Sequence, residues 1–288
     1  KSYKSFMCLD MALCICKGFD FLGFDTKKSG VLYLDLESTK RRPKTRLELI
    51  LKGEKAPNNL YIGTKAKRID NGFEEQLKRE LDKHPGIKLV IVDVFKRIRQ
   101  PMKRNIDPYE RDYEDYSAVK KIADKYNIAI LLVVHTTKMK HPDDPFNELI
   151  GSSGVMGSID VAMVIKKEER SSKEAKLYVT GRDLEDQCFE ITFNKDTFRW
   201  KNEGDYETVK KNREIAEYEN SPVIRVLRRI LKERSYNWIG SVSDVITISH
   251  FYGVDMCRTP EQVGKELNKF KELLEERDGV EFEYVRKG

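Results

Sequence analysis

Four short stretches carry side chains suited to phosphate chemistry. KSYKS (1–5) places Lys4 and Ser5 at the last two positions of a phosphate-binding loop, G-x-x-x-x-G-K-[ST], with Tyr3 where its second glycine falls. In such loops backbone N–H groups wrap the phosphates, Lys reaches the outer phosphates and the hydroxyl serves Mg²⁺. KLVIVDVF (88–95) sets Asp93 at the end of an apolar run, where a carboxylate can hold Mg²⁺ through water or simply cap the next turn. VLYLDLE (31–37) ends on Glu37, which could orient a water for attack on a phosphate or provide the N-terminal charge of the basic helix that follows. IAILLVVH (128–135) ends on His135, either a hydrogen-bond donor to phosphate or a structural histidine.

These residues need a sheet to bring them together. The three runs above, with NLYI (59–62), read as buried strands. Helical patterns at about 40–52, 72–84 and 112–126 alternate with them, as in a parallel sheet covered on both faces. FMCLDMALCIC (6–16) is apolar almost all round, which predicts a helix buried between a sheet and its neighbours. VAMVIK, AKLYVTG and FEITFNKDTFRW (161–200) are expected to continue the sheet, the last as a hairpin around Asn194–Asp196. The charged stretch 204–220 reads as a linker. From Pro222 the pattern becomes three helices and a strand, GVEFEYV (279–285). A winged-helix module and a plain helical cap both suit that order. Thr259, Pro260 and Gln262 form a capping-box helix start.

The 288 residues, 35% charged and 39% hydrophobic with mean hydropathy −0.61, suit a soluble protein, and the longest apolar run, 11–16, is too short to span a bilayer. The net charge of +6 permits nucleic-acid binding without requiring it. Five cysteines without a CxxC pair and four dispersed histidines predict reduced thiols, no structural zinc and a cytoplasmic location. A chain opening inside a motif and without Met predicts residues upstream, including a first strand. No covalent-nucleophile motif is evident.

Taken in order, KSYKS, LYLDLE, LVIVDVFKRIR, LLVVHTTK, GSSGVMGSIDVAMVI and TGRDLED resemble the RecA-like P-loop ATPases of the RepA-type hexameric replicative helicase family, over about residues 1–200. The resemblance implies an α/β fold with a RecA-like core (1–203), a mostly parallel central sheet, and a small C-terminal helical or winged-helix domain (221–288). It implies ATP on Lys1, Ser2, Tyr3, Lys4, Ser5 and Asp93, and Mg²⁺ on Ser5 and Asp93. Glu37 matches the catalytic glutamate and His135 the γ-phosphate sensor. Arg182 matches an arginine finger that enters a neighbouring subunit's site, or else it pairs within the chain to Asp183 or Glu185. Tyr3 departs from the pattern, since a non-glycine residue resists positive φ.

FKRIRQPMKRN (95–105) offers Lys96, Arg97, Arg99, Lys103 and Arg104 with no carboxylate between them. In a ring this run would line a channel for single-stranded DNA, the bland alternative being a solvated turn. Lys138 opens a second candidate loop running to Ser158. Lys265, Asn268, Lys269 and Lys271 could meet DNA or dock on the core. The expected protein is a homo-oligomeric, hexameric DNA helicase or translocase driven by ATP and Mg²⁺, serving replication of a plasmid, phage or mobile element. The alternatives are a DNA-binding ATPase switch and a non-hydrolysing regulator with a relic site.

Overall fold

The computed structural model describes residues 3–39, 41–101, 107–136, 144–149, 156–169 and 171–284. The chain divides into two compact units, Lys1–Tyr206 and Glu207–Gly288.

In the first unit, α1 (Lys4–Lys17) leads to β1 (Gly30–Asp35), α2 (Arg41–Leu51), β2 (Leu60–Gly63), α3 (Phe73–Lys83), β3 (Ile87–Asp93), α4 (Pro108–Tyr126) and β4 (Ala129–Val133). The four strands form one parallel sheet in the order β2-β1-β3-β4. Alternation along β1 explains the double cover: Val31 and Tyr33 pack with α1 and α2, whereas Leu32 and Leu34 pack with α3 and α4. Gly30 lies so close to the neighbouring chain that an added Cβ would stand 2.9 Å from the Gly86 carbonyl oxygen, which accepts the Gly30 N–H.

The following strands do not extend this sheet, contrary to the sequence expectation. β5 (Val161–Lys166), β6 (Glu174–Gly181), β7 (Leu184–Asn194) and β8 (Arg199–Asp205) form a second, wholly antiparallel sheet in chain order. Their connections are short, and a short loop joins strands only antiparallel, because a parallel return needs a crossover of a dozen residues or more. The expected hairpin is present: Asn194 Oδ1 accepts from the Asp196 and Thr197 amides at the β7–β8 turn. Helix α1 packs with both sheets. Cys8, Leu9, Ala12, Leu13 and Cys16 join the parallel-sheet core, while Met7, with Phe6 and Tyr3 beside it, joins Leu177, Ile191, Phe193 and Trp200 of the antiparallel one.

The stretch expected as a linker is the end of β8 followed by α5 (Tyr206–Asn220). Then come α6 (Pro222–Glu233), α7 (Val242–Phe251), α8 (Pro260–Lys269) and α9 (Lys271–Asp278), around a core of Tyr218, Val223, Ile224, Ile230, Val263 and Leu274. GVEFEYV is not a strand over its described residues. No strand is present among the described residues of this unit to pair with it, and an unpaired strand leaves its backbone groups unsatisfied. Val280 and Phe282 instead pack partly against the helical core. Lys265 pairs with Glu261 at 2.6 Å and Lys269 with Glu217, so two of the cations singled out in this region are engaged within the unit.

Thr259 caps α8 as expected: its hydroxyl accepts from the Gln262 amide and the Gln262 side chain accepts from the Thr259 amide. Thr259→Ala is expected to lower unfolding stability by about 1 kcal/mol, read from urea melts, with Thr259→Ser close to the parent.

Candidate functional site

β1 and β3 are register neighbours along their whole length, so Asp35 and Asp93 stand side by side where the two strands end. β1 ends at Asp35 and β4 at Val133, so Glu37 and His135 each lie two residues beyond a strand, on loops at the carboxyl edge of the sheet. In open α/β sheets this edge is where ligands bind. Lys4, in the first turn of α1, donates from Nζ to the Val134 carbonyl oxygen, between the end of β4 and His135. Burial pulls the Lys4 ammonium below the usual lysine range, and nearby negative charge, chiefly Asp93 with Glu37 behind it, acts the other way. Lys4, Asp93 and Glu37 therefore share one electrostatic neighbourhood.

Asp93 is only 4% exposed, and its Oδ2 accepts from the Tyr33 hydroxyl at 2.8 Å. Glu37 and His135 are open to solvent, at 56% and 62% side-chain exposure, with Oε2 and Nε2 4.0 Å apart. An open cavity of about 380 Å³ begins at Glu37 and is lined by Ser38, Thr39, Arg41, Arg42 and Thr45. Two participants are not evident from the sequence. Tyr33 has the pattern of a core residue, and Asp35 is overshadowed by Glu37 as the strand-ending carboxylate. Asp35 is 1% exposed, accepts from the Ser38 amide at 3.0 Å and lies 3.4 Å from Arg46 Nη1. Burial pushes its carboxyl above the usual range, against the pull of the Ser38 hydrogen bond. The signal that could have found them is period two: Tyr33, Asp35 and Asp93 all belong to the α1 face of the sheet.

Tyr3 occupies the N-cap of α1 with φ 51° and ψ 24°, the left-handed conformation that the loop's glycine would supply. Its ring stacks on Phe193 of β7 at 4.1 Å and 11°, and the Lys167 ammonium lies 5.0 Å from the ring centre. A strained left-handed residue costs about 1 to 3 kcal/mol. The stack contributes about 0.5–1.5 kcal/mol beyond burial and the cation about 0.5–1 kcal/mol, so the two are of the same size as the strain. Tyrosine resists positive φ, and at this position it adopts φ 51° with this packing beside it.

The remaining candidates are placed unequally. Ser5 follows Lys4 in the first turn of α1. Lys96 and Arg97 lie exposed in a 3₁₀ turn (Phe95–Arg97) directly beyond β3. Arg99, grouped with them by the sequence pattern, turns inward: its Nε donates to Asp115 Oδ2 at 2.6 Å and its Nη2 to Asp112, both buried on α4. A guanidinium held this way is not offered to a phosphate backbone. Arg182 sits in the β6–β7 turn, donating from Nη2 to the Gly157 carbonyl oxygen at 2.7 Å, with Nε 3.8 Å from Asp160. Its ion pair is thus with Asp160 and not with Asp183 or Glu185. Lys1, Ser2, Lys103, Arg104 and Lys138 lie outside the described residues.

Among the described residues no three His, Cys, Asp or Glu side chains converge as a metal cage. The donor set at the sheet edge fits Mg²⁺, which typically uses one or two carboxylates together with water and substrate phosphates. Tyr33→Phe removes the donor to a buried carboxylate oxygen. It is expected to lower stability by about 1–3 kcal/mol, and urea melts of the two proteins at pH 7 measure it.

Residues 1–141 match the family model described as an AAA domain. No curated protein matches the sequence. Among solved structures, the chain is similar to a DnaB-like replicative helicase, described with its interactions with primase, at TM-score 0.56 and 14% identity over 70% of this chain and 55% of that one. It is also similar to a second structure, described as an ATPase domain, at TM-score 0.50 and 15% identity over 61% of this chain and 75% of that one. The chain thus spans about half the length of the helicase. At these identities the likeness is one of fold: the parallel four-stranded sheet with its flanking helices is a RecA-like α/β core. No helix among the described residues is long and apolar enough to cross a membrane.

Proposed function

We propose that this chain is a P-loop ATPase that binds MgATP at the carboxyl edge of the parallel sheet and couples its hydrolysis to movement along single-stranded DNA. The observation that carries the reading is the convergence of Lys4 with Asp93 and Glu37 at that edge, at the start of a helix whose N-cap holds the left-handed loop conformation. A helix N-terminus with free N–H groups and a neighbouring lysine favours phosphate.

When bound, MgATP supplies the phosphoanhydride and a divalent charge that draws electrons from it. Lys4 would exchange the Val134 carbonyl for phosphate oxygens, and Lys1, Ser2 and the backbone at Tyr3 would complete the cradle. Ser5 and Asp93 would hold the ion, Asp93 being oriented by Tyr33. Glu37 is exposed and therefore able to take a proton from water, while His135, its Nε2 4.0 Å from the Glu37 carboxylate, would donate toward the terminal phosphate. Arg182 would leave Asp160 to reach a neighbouring subunit's site, in a hexameric ring of the kind the family resemblance implies. Lys96 and Arg97, with Lys103, Arg104 and Lys138, would track the DNA backbone without reading sequence. Replication of a plasmid, phage or mobile element is the setting the resemblance suggests.

Steady-state hydrolysis with and without single-stranded DNA tests the reading. Glu37→Gln is expected to cut turnover by about 10²-fold or more while nucleotide still binds, whereas Lys4→Ala loses binding and turnover together. Hydrolysis indifferent to both changes would contradict it. Strand displacement by the active protein separates a motor from an ATPase switch.

A further inference from the structure

We infer that Tyr3 is a positioning residue that stands in for the loop glycine, its ring fastening the phosphate-binding turn to the antiparallel sheet. The inference rests on the nucleotide site proposed above for its functional meaning, but its physical content concerns the free protein. At the N-cap, Tyr3 makes no side-chain capping hydrogen bond, so a polar capping role does not explain it. What it does make is a close parallel stack on Phe193, which is 2% exposed and itself meets Trp200 edge-on at 5.2 Å. Lys167, from the segment after β5, places its ammonium 5.0 Å from the Tyr3 ring and 5.7 Å from the Trp200 ring, and is steadied by donating to the Ser172 carbonyl oxygen at 2.6 Å. The Tyr3 carbonyl oxygen accepts from the Phe6 and Met7 amides at 3.0 and 3.2 Å, so the residue that carries the ring also closes the first turn of α1.

A flexible glycine would reach the same φ without strain but would leave the turn untethered. A tyrosine reaches it only where packing compels it, and the compelled conformation is then the one that sets the backbone at Tyr3, and with it the first turn of α1, before nucleotide arrives. The structure therefore reverses the ordinary motif logic: restoring the glycine should loosen this site.

Amide hydrogen exchange of the full chain without nucleotide, read at Phe6 and Met7, tests this directly. Glycine is well tolerated at an N-cap, so Tyr3→Gly does not fray the helix by itself. Tyr3→Gly is expected to speed exchange at these amides by about fivefold, and Phe193→Leu, which keeps an apolar side chain but removes the stack, by a similar factor. Tyr3→Phe keeps the ring and should stay within about twofold of the parent. The double variant Tyr3→Gly with Phe193→Leu should show less than the sum of the two single effects, since both remove the Tyr3–Phe193 stack, while Phe193→Leu also loses ring contacts to Phe6 and Trp200. Exchange in Tyr3→Gly as slow as in the parent, or additive effects in the double variant, would overturn the inference. A parallel titration with a non-hydrolysable ATP analogue and Mg²⁺ should show weaker binding by Tyr3→Gly. Tighter binding by that variant would also overturn the inference. Absence of binding by the parent would instead overturn the nucleotide reading, with the exchange data still deciding the role of Tyr3.

Discussion

Helix α1 is the element on which the first unit depends, because it packs with two sheets at once. A helix so placed must be apolar nearly all round, and Met7, Leu9, Ala12, Leu13 and Cys16 satisfy that condition. The same placement fixes where the helix begins. With Leu9 and Leu13 seated against β1 and β3, the first turn of α1 is brought to the edge where those strands end, and Lys4 arrives at the Val134 carbonyl, within electrostatic reach of Asp93. The core and the candidate site are therefore one construction: apolar burial of the helix body sets the position of a cation at its tip.

Burying charge at that tip is expensive unless it is matched. Asp93 receives the Tyr33 hydroxyl, Asp35 receives the Ser38 amide with Arg46 nearby, and Lys4 donates to the Val134 carbonyl oxygen. Each of these contacts lies along the ends of the strands or the segments that follow them, so the polar groups are organised before any ligand is present. Glu37 and His135 differ in being open to solvent. The division is chemically sensible for phosphoryl transfer, in which charge-bearing groups gain from a dry and fixed setting while the group that activates water must meet water.

The parallel sheet is legible in the sequence because strands buried on both faces read as continuous apolar runs, and VLYLDLE, KLVIVDVF and IAILLVVH do so. Their ends are less legible, since hydrophobicity cannot say where pairing stops. Glu37 has the look of the strand terminus, but Asp35 holds that place and is buried there. The antiparallel sheet reads as a continuation of the first because apolar alternation reports a strand without naming its partner. Tyr3 shows a different limit. Its backbone conformation is decided by Phe193, far along the chain, and no local propensity carries that information. Arg99 is similar: among basic neighbours it resembles a nucleic-acid contact, and only the fold reveals that Asp112 and Asp115 hold it. In the second unit the capping box at Thr259 is readable because it is local, whereas the missing strand at 279–284 depends on a partner that the described residues do not supply.

The central claim is that Lys4 and Asp93 belong to one site for a magnesium-bound nucleotide. Calorimetric titration of ATP into the full chain, with Mg²⁺ and with chelator, compared between the parent and Asp93→Asn, tests it most directly. The account predicts that Mg²⁺ strengthens binding by the parent and that this gain is largely lost in Asp93→Asn, with the folded state retained by circular dichroism. Binding that is the same with and without Mg²⁺, or a magnesium gain that survives intact in Asp93→Asn, would contradict it.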